Sequence, residues 1–439
     1  MFYYIFIRII KLFFIYKIIF FLRPKEKDEY TISNYLNIDL NNINKNRIKI
    51  GIYTVGLCNG GRAKITSFLV NYLTEIKIFD IYLYTLANKS KGDYLIPNCT
   101  KRIIIKNDLL QKCIINQIDI LIYQISDIKE INELNNQKKI KVIYYIHSCF
   151  LLWLYRDKFN YFKNLYKAYK KSQYVVSMVP LENDYLFKKW GITSILMNNF
   201  ISYDYYSVVP SDLSSKTILM IGRAGEKIKR FQLGIKAMKY IMEEISEVKL
   251  KIISSNSGLK SIVNLMLKYH LEKNIEFVGY TLTPEKYFKN ASLHLFTTLT
   301  ESFGLVLAET KIYGIPNILL GLDYASISNG GTIIIYDDDP KTIAKESIRI
   351  LENHRYRKKL GREARKSMKR FNNNLLKIRW VKLILSIYKG DYYYENLRKS
   401  GSKLSSKESI SLLNNQIKLL KKRLKKYSKL NHHQLENVI

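Results

Sequence analysis

Residues 298–314, TLTESFGLVLAETKIYG, constrain the fold more than any other stretch of the chain. They read as a loop that becomes a helix. Glu301 and Ser302 fall in the loop, Gly304 lets the backbone approach a ligand closely, and 305–313 carry the helix. Gly314 ends it and Pro316 blocks its continuation. The apolar runs on either side, 291–297 and 317–320, read as buried strands. Strand, loop, helix, strand is a crossover joining parallel strands. In such sheets ligands bind beyond the carboxyl ends of the strands, where the helices begin. Glu301 therefore lies at a ligand rim, and Glu309, eight positions on, lies about one turn into the helix. Two solvated acids near a positive helix end would leave the same pattern, so the rest of the chain has to decide.

The same alternation recurs upstream. Strands are expected at 48–55, 78–85, 102–105, 118–125, 141–147, 174–179 and 194–197, and again at 217–221, 249–254 and 275–278, with helical patterns between most of them. Near-continuous apolar strands separated by helices indicate a parallel, doubly wound sheet. The first strand leads into GLCNGGRAKITSFLVNYL, where Gly56, Gly60 and Gly61 make a turn that opens a helix. Such a turn offers free N–H groups to phosphate, although glycines also serve simply as turn formers. The spacing GxGxxG is absent. His147 closes the strand VIYYIH at its carboxyl end, where it either meets a ligand or caps the backbone. The strand at 217–221 runs into GRAGEKIKRFQLGIKAMKYI. Arg223 leaves the strand end and Lys229 follows six positions later, with Lys227 and Arg230 as neighbours of similar charge. A planar fork and a point charge at the mouth of a strand–helix turn suit a diphosphate, and would offset the charge growing on a departing nucleotide.

The paired acids with Phe303-Gly304 between them, the Arg223/Lys229 pair, and EFVGYTLTPEKYFKNASLHLFTTLTESFG together resemble retaining GT-B glycosyltransferases of family 4, the glycosyl transferases group 1. The resemblance spans about 47–389 and is stronger in the second half. It implies an α/β GT-B fold: two Rossmann-like doubly wound parallel-sheet domains facing a cleft, with helical extensions at both termini. The expected division is an N-terminal anchoring helix in 1–30, an acceptor domain at 47–200, a nucleotide-sugar domain at 216–375, a crossover helix at 376–389 containing Trp380, and a basic helical tail at 390–439. It implies that Glu309 holds the ribose of the donor, that Glu301 and His147 line the sugar, and that Arg223 and Lys229 hold the diphosphate in place of a divalent metal. Gly60 and Gly61, and the backbone at Phe303, Gly304 and Leu305, complete the implied donor site. The substrate is a UDP- or GDP-sugar, with no cofactor and no metal. One departure stands out: Gly330-Gly331 is followed by Thr332 where the family often carries an acid. The acidic triplet 337–339 before Pro340 reads as a helix cap more readily than as a metal site.

Charge enters here. The chain has 72 Lys and Arg against 37 Asp and Glu, which favours anionic partners without choosing among them. Part of that excess follows from heavy use of Lys, Asn, Ile and Tyr, as an AT-rich coding sequence gives. Residues 1–22, MFYYIFIRIIKLFFIYKIIFFL, are long enough to span a bilayer, but Lys11 is central and costs about 2.5–3.5 kcal/mol there. An interfacial helix that snorkels its charges is favoured over a span or a helix packed on the body, which places the chain at the cytoplasmic face of a membrane. In the tail, Ser405 and Glu408 make a capping box, and Ile410, Leu413, Ile417, Leu420, Leu424 and Tyr427 recur at three-four spacing among lysines. A short coiled coil, an anionic-lipid face and a helix docked on the body all fit. Four scattered cysteines without CxxC favour a reducing compartment.

The leading reading is a glycosyltransferase acting on a glycan or lipid-linked acceptor in cell-surface polysaccharide synthesis. A non-catalytic membrane- or nucleic-acid-binding protein reusing the fold is the rival, although no RNA-binding aromatic motif or zinc knuckle is present and nucleic acid is not expected. A GT-B sugar-nucleotide epimerase would share the donor site. Oligomeric state is not legible.

Overall fold

The computed structural model describes residues 47–58, 60–156, 158–256, 258–390 and 406–427. The expectations for 1–46, Ser405 and the chain beyond 427 lie outside the described residues.

The first sheet contains β1 (Ile48–Thr54), β2 (Phe79–Thr85), β3 (Lys101–Ile104), β4 (Ile120–Tyr123), β5 (Lys141–Tyr145), β6 (Tyr174–Ser177) and β7 (Ile195–Leu196). These pair in the order β3-β2-β1-β4-β5-β6-β7, every neighbour parallel. Strands covered on both faces need apolar residues on both, which is why they read as runs and not as alternation. Ile50, Ile52, Ile120, Leu121, Ile122 and Ile143 are fully buried. The second sheet contains β8 (Thr217–Ile221), β9 (Lys249–Ile253), β10 (Ile275–Phe277), β11 (Leu293–Phe296), β12 (Asn317–Leu320) and β13 (Thr332–Ile335), in the order β10-β9-β8-β11-β12-β13 and again parallel. Ile218, Met220, Leu250, Ile252 and Leu295 pack with Ile235, Met238 and Ile241 of the helix Phe231–Glu244. Two doubly wound parallel sheets make the α/β GT-B architecture. In each sheet the strand order reverses at one place: beside β1 in the first, beside β8 in the second. A crevice opens at such reversals, and ligands enter there.

The edge strand β13 is not anticipated by the sequence reading, and it changes the meaning of Thr332. That residue begins a strand and does not sit in a ligand loop. The preceding glycines have a packing role. Both take positive φ, and a Cβ on Gly331 would lie 2.2 Å from the Leu360 carbonyl oxygen in the helix His354–Ser367. The acidic triplet divides its work: Asp339 caps the helix Pro340–Glu352 by accepting from the Lys341 N–H at 3.0 Å, whereas Asp338 turns inward to two arginines.

The helix Asn373–Lys389 returns to the first domain. Arg379 donates to the Leu196 carbonyl at 2.7 Å, Lys141 reaches the Ile387 carbonyl at 2.7 Å, and the Trp380 ring lies 5.1 Å from that of Tyr145. The tail helix Ser406–Tyr427 docks on the body. This sets aside the coiled-coil and lipid readings for its inward face. That face takes in only part of the expected apolar stripe: Leu420 is buried and Leu413 and Ile417 are half-buried, but Ile410 is 55 % exposed, and Ser409, Gln416, Leu419 and Arg423 are buried instead. Ser409 donates to Asp184 in the first domain; Gln416 donates to the Gly321 carbonyl at 2.8 Å and to Asp323 at 2.7 Å in the second. Among the described residues no helix is long and apolar enough to cross a membrane.

Candidate active site

The glycine turn after β1 and the loops after β5, β8 and β11 meet at one cleft. Two zips of polar contacts hold it. In the first, Ser302 accepts from the Cys149 N–H at 2.8 Å and donates to the His147 carbonyl at 2.8 Å. The Glu301 loop of the second domain is thereby pinned to the His147 loop of the first. In the second, Lys64 of the helix Gly61–Thr74 places its ammonium 2.6 Å from Glu309 Oε1. The glycine turn itself abuts the second domain: a Cβ on Gly61 would lie 3.1 Å from Leu305.

The helix Leu305–Ile312 starts at Gly304, which takes φ +84°, a value costly for any residue with a Cβ. Its first-turn N–H groups have no intrahelical acceptors. Phe303 does not present its ring there. The ring is buried and packs edge-on against Phe371 at 5.6 Å, so only its backbone is placed to meet a ligand. Glu309 is buried on the cleft side of the helix, where Ser202 donates to the same Oε1 at 2.6 Å.

Lys229 and Glu301 come together: Nζ lies 3.1 Å from Oε2, with both side chains mostly sheltered. Tyr324 accepts from the Glu301 N–H at 3.0 Å and holds the loop. Arg223 is not part of that pair. It is exposed at the rim and contacts Glu226 at 3.1 Å. Its nearby cation is Arg62 of the first domain, whose pKa is lowered by burial and then by repulsion from Arg223. Of the two confusable neighbours, Arg230 points away, buried with φ +50° and 2.6 Å from Asp338, and Lys227 is exposed. The His147 ring lies tilted against that of Tyr145 with centroids 4.2 Å apart, and its Nε2 is out of solvent with no hydrogen-bond partner. Burial, reinforced by Arg62, pushes the imidazole down to about 3, so it is neutral near pH 7. A neutral ring with an unpaired nitrogen is free to exchange one hydrogen bond with a ligand.

Lys64, Arg62 and Ser202 escaped the sequence reading. Lys64 and Arg62 stand within one turn of the Gly60-Gly61 turn, and that position was the available signal. Ser202, in the interdomain connection, gave none.

Two facing Rossmann-like domains with cations and carboxylates in the cleft define a GT-B protein. Residues 207–367, a little over a third of the chain, match the family model "Glycosyl transferases group 1". N-acetyl-alpha-D-glucosaminyl L-malate synthase of Bacillus anthracis is 28 % identical over 145 residues, 32 % of this chain and 38 % of that protein. Poly(glycerol-phosphate) alpha-glucosyltransferase of Bacillus subtilis (strain 168) is 29 % identical over 130 residues, 30 % of this chain and 18 % of that protein. The matches thus span well under half the length of these relatives. Among solved structures, Anabaena Alr3699/HepE in complex with UDP and glucose superposes with a TM-score of 0.63 at 13 % identity, covering 77 % of this chain and all of that one.

Proposed function

We propose that the chain is a retaining, metal-independent glycosyltransferase that moves a sugar from a UDP- or GDP-sugar to a glycan or lipid-linked acceptor. The observation that carries this reading is the meeting of Lys229 with Glu301 and of Lys64 with Glu309 where loops of the two domains converge, with Arg223 at the rim and Arg62 close enough to feel its charge. Like charges brought together from two domains call for an anion between them, and a diphosphate supplies it. Glu309 takes the ribose and Glu301 and His147 take the sugar. The first-turn N–H groups after Phe303 face the donor. As the bond from the anomeric carbon to the diphosphate oxygen breaks, its electron pair goes to the diphosphate, where Arg223 and Lys229 stabilise it. The acceptor oxygen attacks from the same face, and its proton leaves with the departing diphosphate. No second carboxylate is placed as a nucleophile in this scheme, so transfer is of the front-face, ion-pair kind. Similarity to a poly(glycerol-phosphate) alpha-glucosyltransferase and a poly(ribitol-phosphate) alpha-N-acetylglucosaminyltransferase supports an acceptor in cell-surface polymer synthesis.

Thermal unfolding with UDP, GDP, ADP and CDP tests the donor site. A ligand at about 100 times its Kd stabilises by about 2.7 kcal/mol. One diphosphate that stabilises the wild type but not Glu309→Ala is the expected result; no shift with any of the four would refute the reading. Docking at the cytoplasmic face of a membrane through residues 1–30 belongs to the same proposal. Fractionation of cells making the chain with and without 1–22 tests it, and equal distribution of the two forms overturns it.

A further inference from the structure

The carboxylate of Glu309 is held from the opposite domain and from the interdomain connection. Lys64 Nζ and Ser202 Oγ each lie 2.6 Å from Oε1. The pair is sheltered, with side-chain exposures of 19 % for Lys64 and 5 % for Glu309, and the Lys64 ammonium is 5.9 Å from the centre of the Tyr203 ring. Two short donors on one oxygen stop the carboxylate turning about its last bond. No described residue donates to Oε2, so its lone pairs are left for a ligand. A carboxylate oxygen with no donor of its own accepts from hydroxyls and is a poor partner for phosphate. The group that fits against it is therefore neutral and hydroxyl-bearing.

We infer that Lys64 is a positioning residue for the ribose of the nucleotide donor. By gripping Oε1 it aims Oε2 at the ribose hydroxyls. Because Lys64 belongs to the first domain and Glu309 to the second, ribose recognition requires the two domains to be closed on each other. The inference rests on the nucleotide-sugar reading above. The opposite possibility, that Lys64 merely blocks Glu309 until a ligand displaces it, predicts tighter binding when Lys64 is removed.

The experiment measures binding of UDP and 2′,3′-dideoxy-UDP, with the GDP pair in parallel, to the full chain and to Lys64→Met. The wild type should prefer the ribose form by about ten- to a hundredfold, the worth of a hydrogen bond to a charged group. Lys64→Met should bind UDP about tenfold more weakly, bind the dideoxy form as well as the wild type does, and so lose most of that preference. A purely structural role for Lys64 would weaken both ligands equally, and that result overturns the inference. So does a Lys64→Met protein that keeps the preference or binds UDP more tightly. Should Lys64→Met not fold, Ser202→Ala carries the same comparison, because it removes a neutral donor from the same oxygen; its expected loss is about threefold and again confined to the ribose form. A wild type that binds none of the four nucleotides overturns the nucleotide-sugar reading together with this inference, whereas ribose preference that survives both substitutions overturns this inference alone.

Discussion

Asp338 stands between two buried arginines, and that arrangement makes a prediction of sign. Arg230 Nη1 is 2.6 Å from its Oδ1, and Arg423 reaches both oxygens at 3.0 and 3.2 Å from the tail helix. All three side chains are under a tenth exposed. Burial works to raise the Asp338 pKa, but the two guanidiniums outweigh it and hold the carboxyl below its usual range. Arg423→Met keeps much of the apolar stem and leaves the Arg230–Asp338 pair intact. It removes the bonds to Asp338 and to the Leu320 carbonyl at 3.0 Å, a loss of about 1.5–3 kcal/mol. Asp338→Ala is worse, because it leaves two buried cations with no anion between them, at about 3–5 kcal/mol. In that background Arg423 has become a liability, so adding Arg423→Met should restore stability and not reduce it further. Urea unfolding of the four proteins in this cycle gives the coupling, expected at more than about 1.5 kcal/mol. Limited proteolysis of Arg423→Met should release the tail helix early. Additive losses in the double variant would refute the charge argument, since the arginines would then not be sharing one carboxylate.

Lys229→Ala should lower kcat about a hundred- to a thousandfold if its charge stabilises the departing diphosphate, with far-UV circular dichroism unchanged; turnover near wild type would remove that role. Gly331→Ala should destabilise by more than about 2 kcal/mol in thermal unfolding, because a Cβ there meets the Leu360 carbonyl at 2.2 Å on a backbone with φ +63°. His294 is fully buried, bonded to Asn317 at 2.6 Å, and burial pushes its pKa down to about 4. The unfolded chain takes up its proton near pH 6.5 and the folded chain does not until about pH 4, so its contribution to stability is full above 6.5 and falls with pH between those values. Stability at pH 5 should be about 2 kcal/mol below that at pH 8 on this account, and His294→Gln should flatten that part of the profile. An unaltered profile in the variant would assign the acid lability to other groups.

How much of this was legible depended on whether a residue's partner is local. β1 and β8 announced themselves because strands covered on both faces need unbroken apolar runs. The placement of Glu301, Glu309, Arg223 and Lys229 beside strand ends was legible because each lies in, or about a turn beyond, a single loop that leaves a strand. β13 was not: its TIII is short, sits at an edge and follows two glycines that invited a ligand reading. The tail misled for a related reason. Its apolar stripe at three-four spacing was real, yet Ile410 faces outward while Gln416 and Arg423 turn inward to acceptors on β12 and the loops behind it. A polar side chain whose partner lies elsewhere in the chain leaves no periodicity. Lys64 is the extreme case, 245 positions from Glu309.

Those non-local contacts have a common character. Ser302 to the His147 loop, Lys64 to Glu309, and Ser409 and Gln416 to opposite domains all cross between the two sheets, and all are hydrogen bonds or ion pairs. The large apolar cluster around β8 and β9 lies within the second domain, whereas the contacts just named between the domains are polar. Burying apolar area is non-directional and hard to reverse in small steps. A polar contact can exchange one partner for another, water or ligand, at a net cost of about 1 kcal/mol. A cleft that has to admit a large charged ligand and then close over it is better joined by such exchangeable contacts. The same logic explains why Lys64 and Ser202, two of the residues that close this cleft, were concealed in the sequence alone.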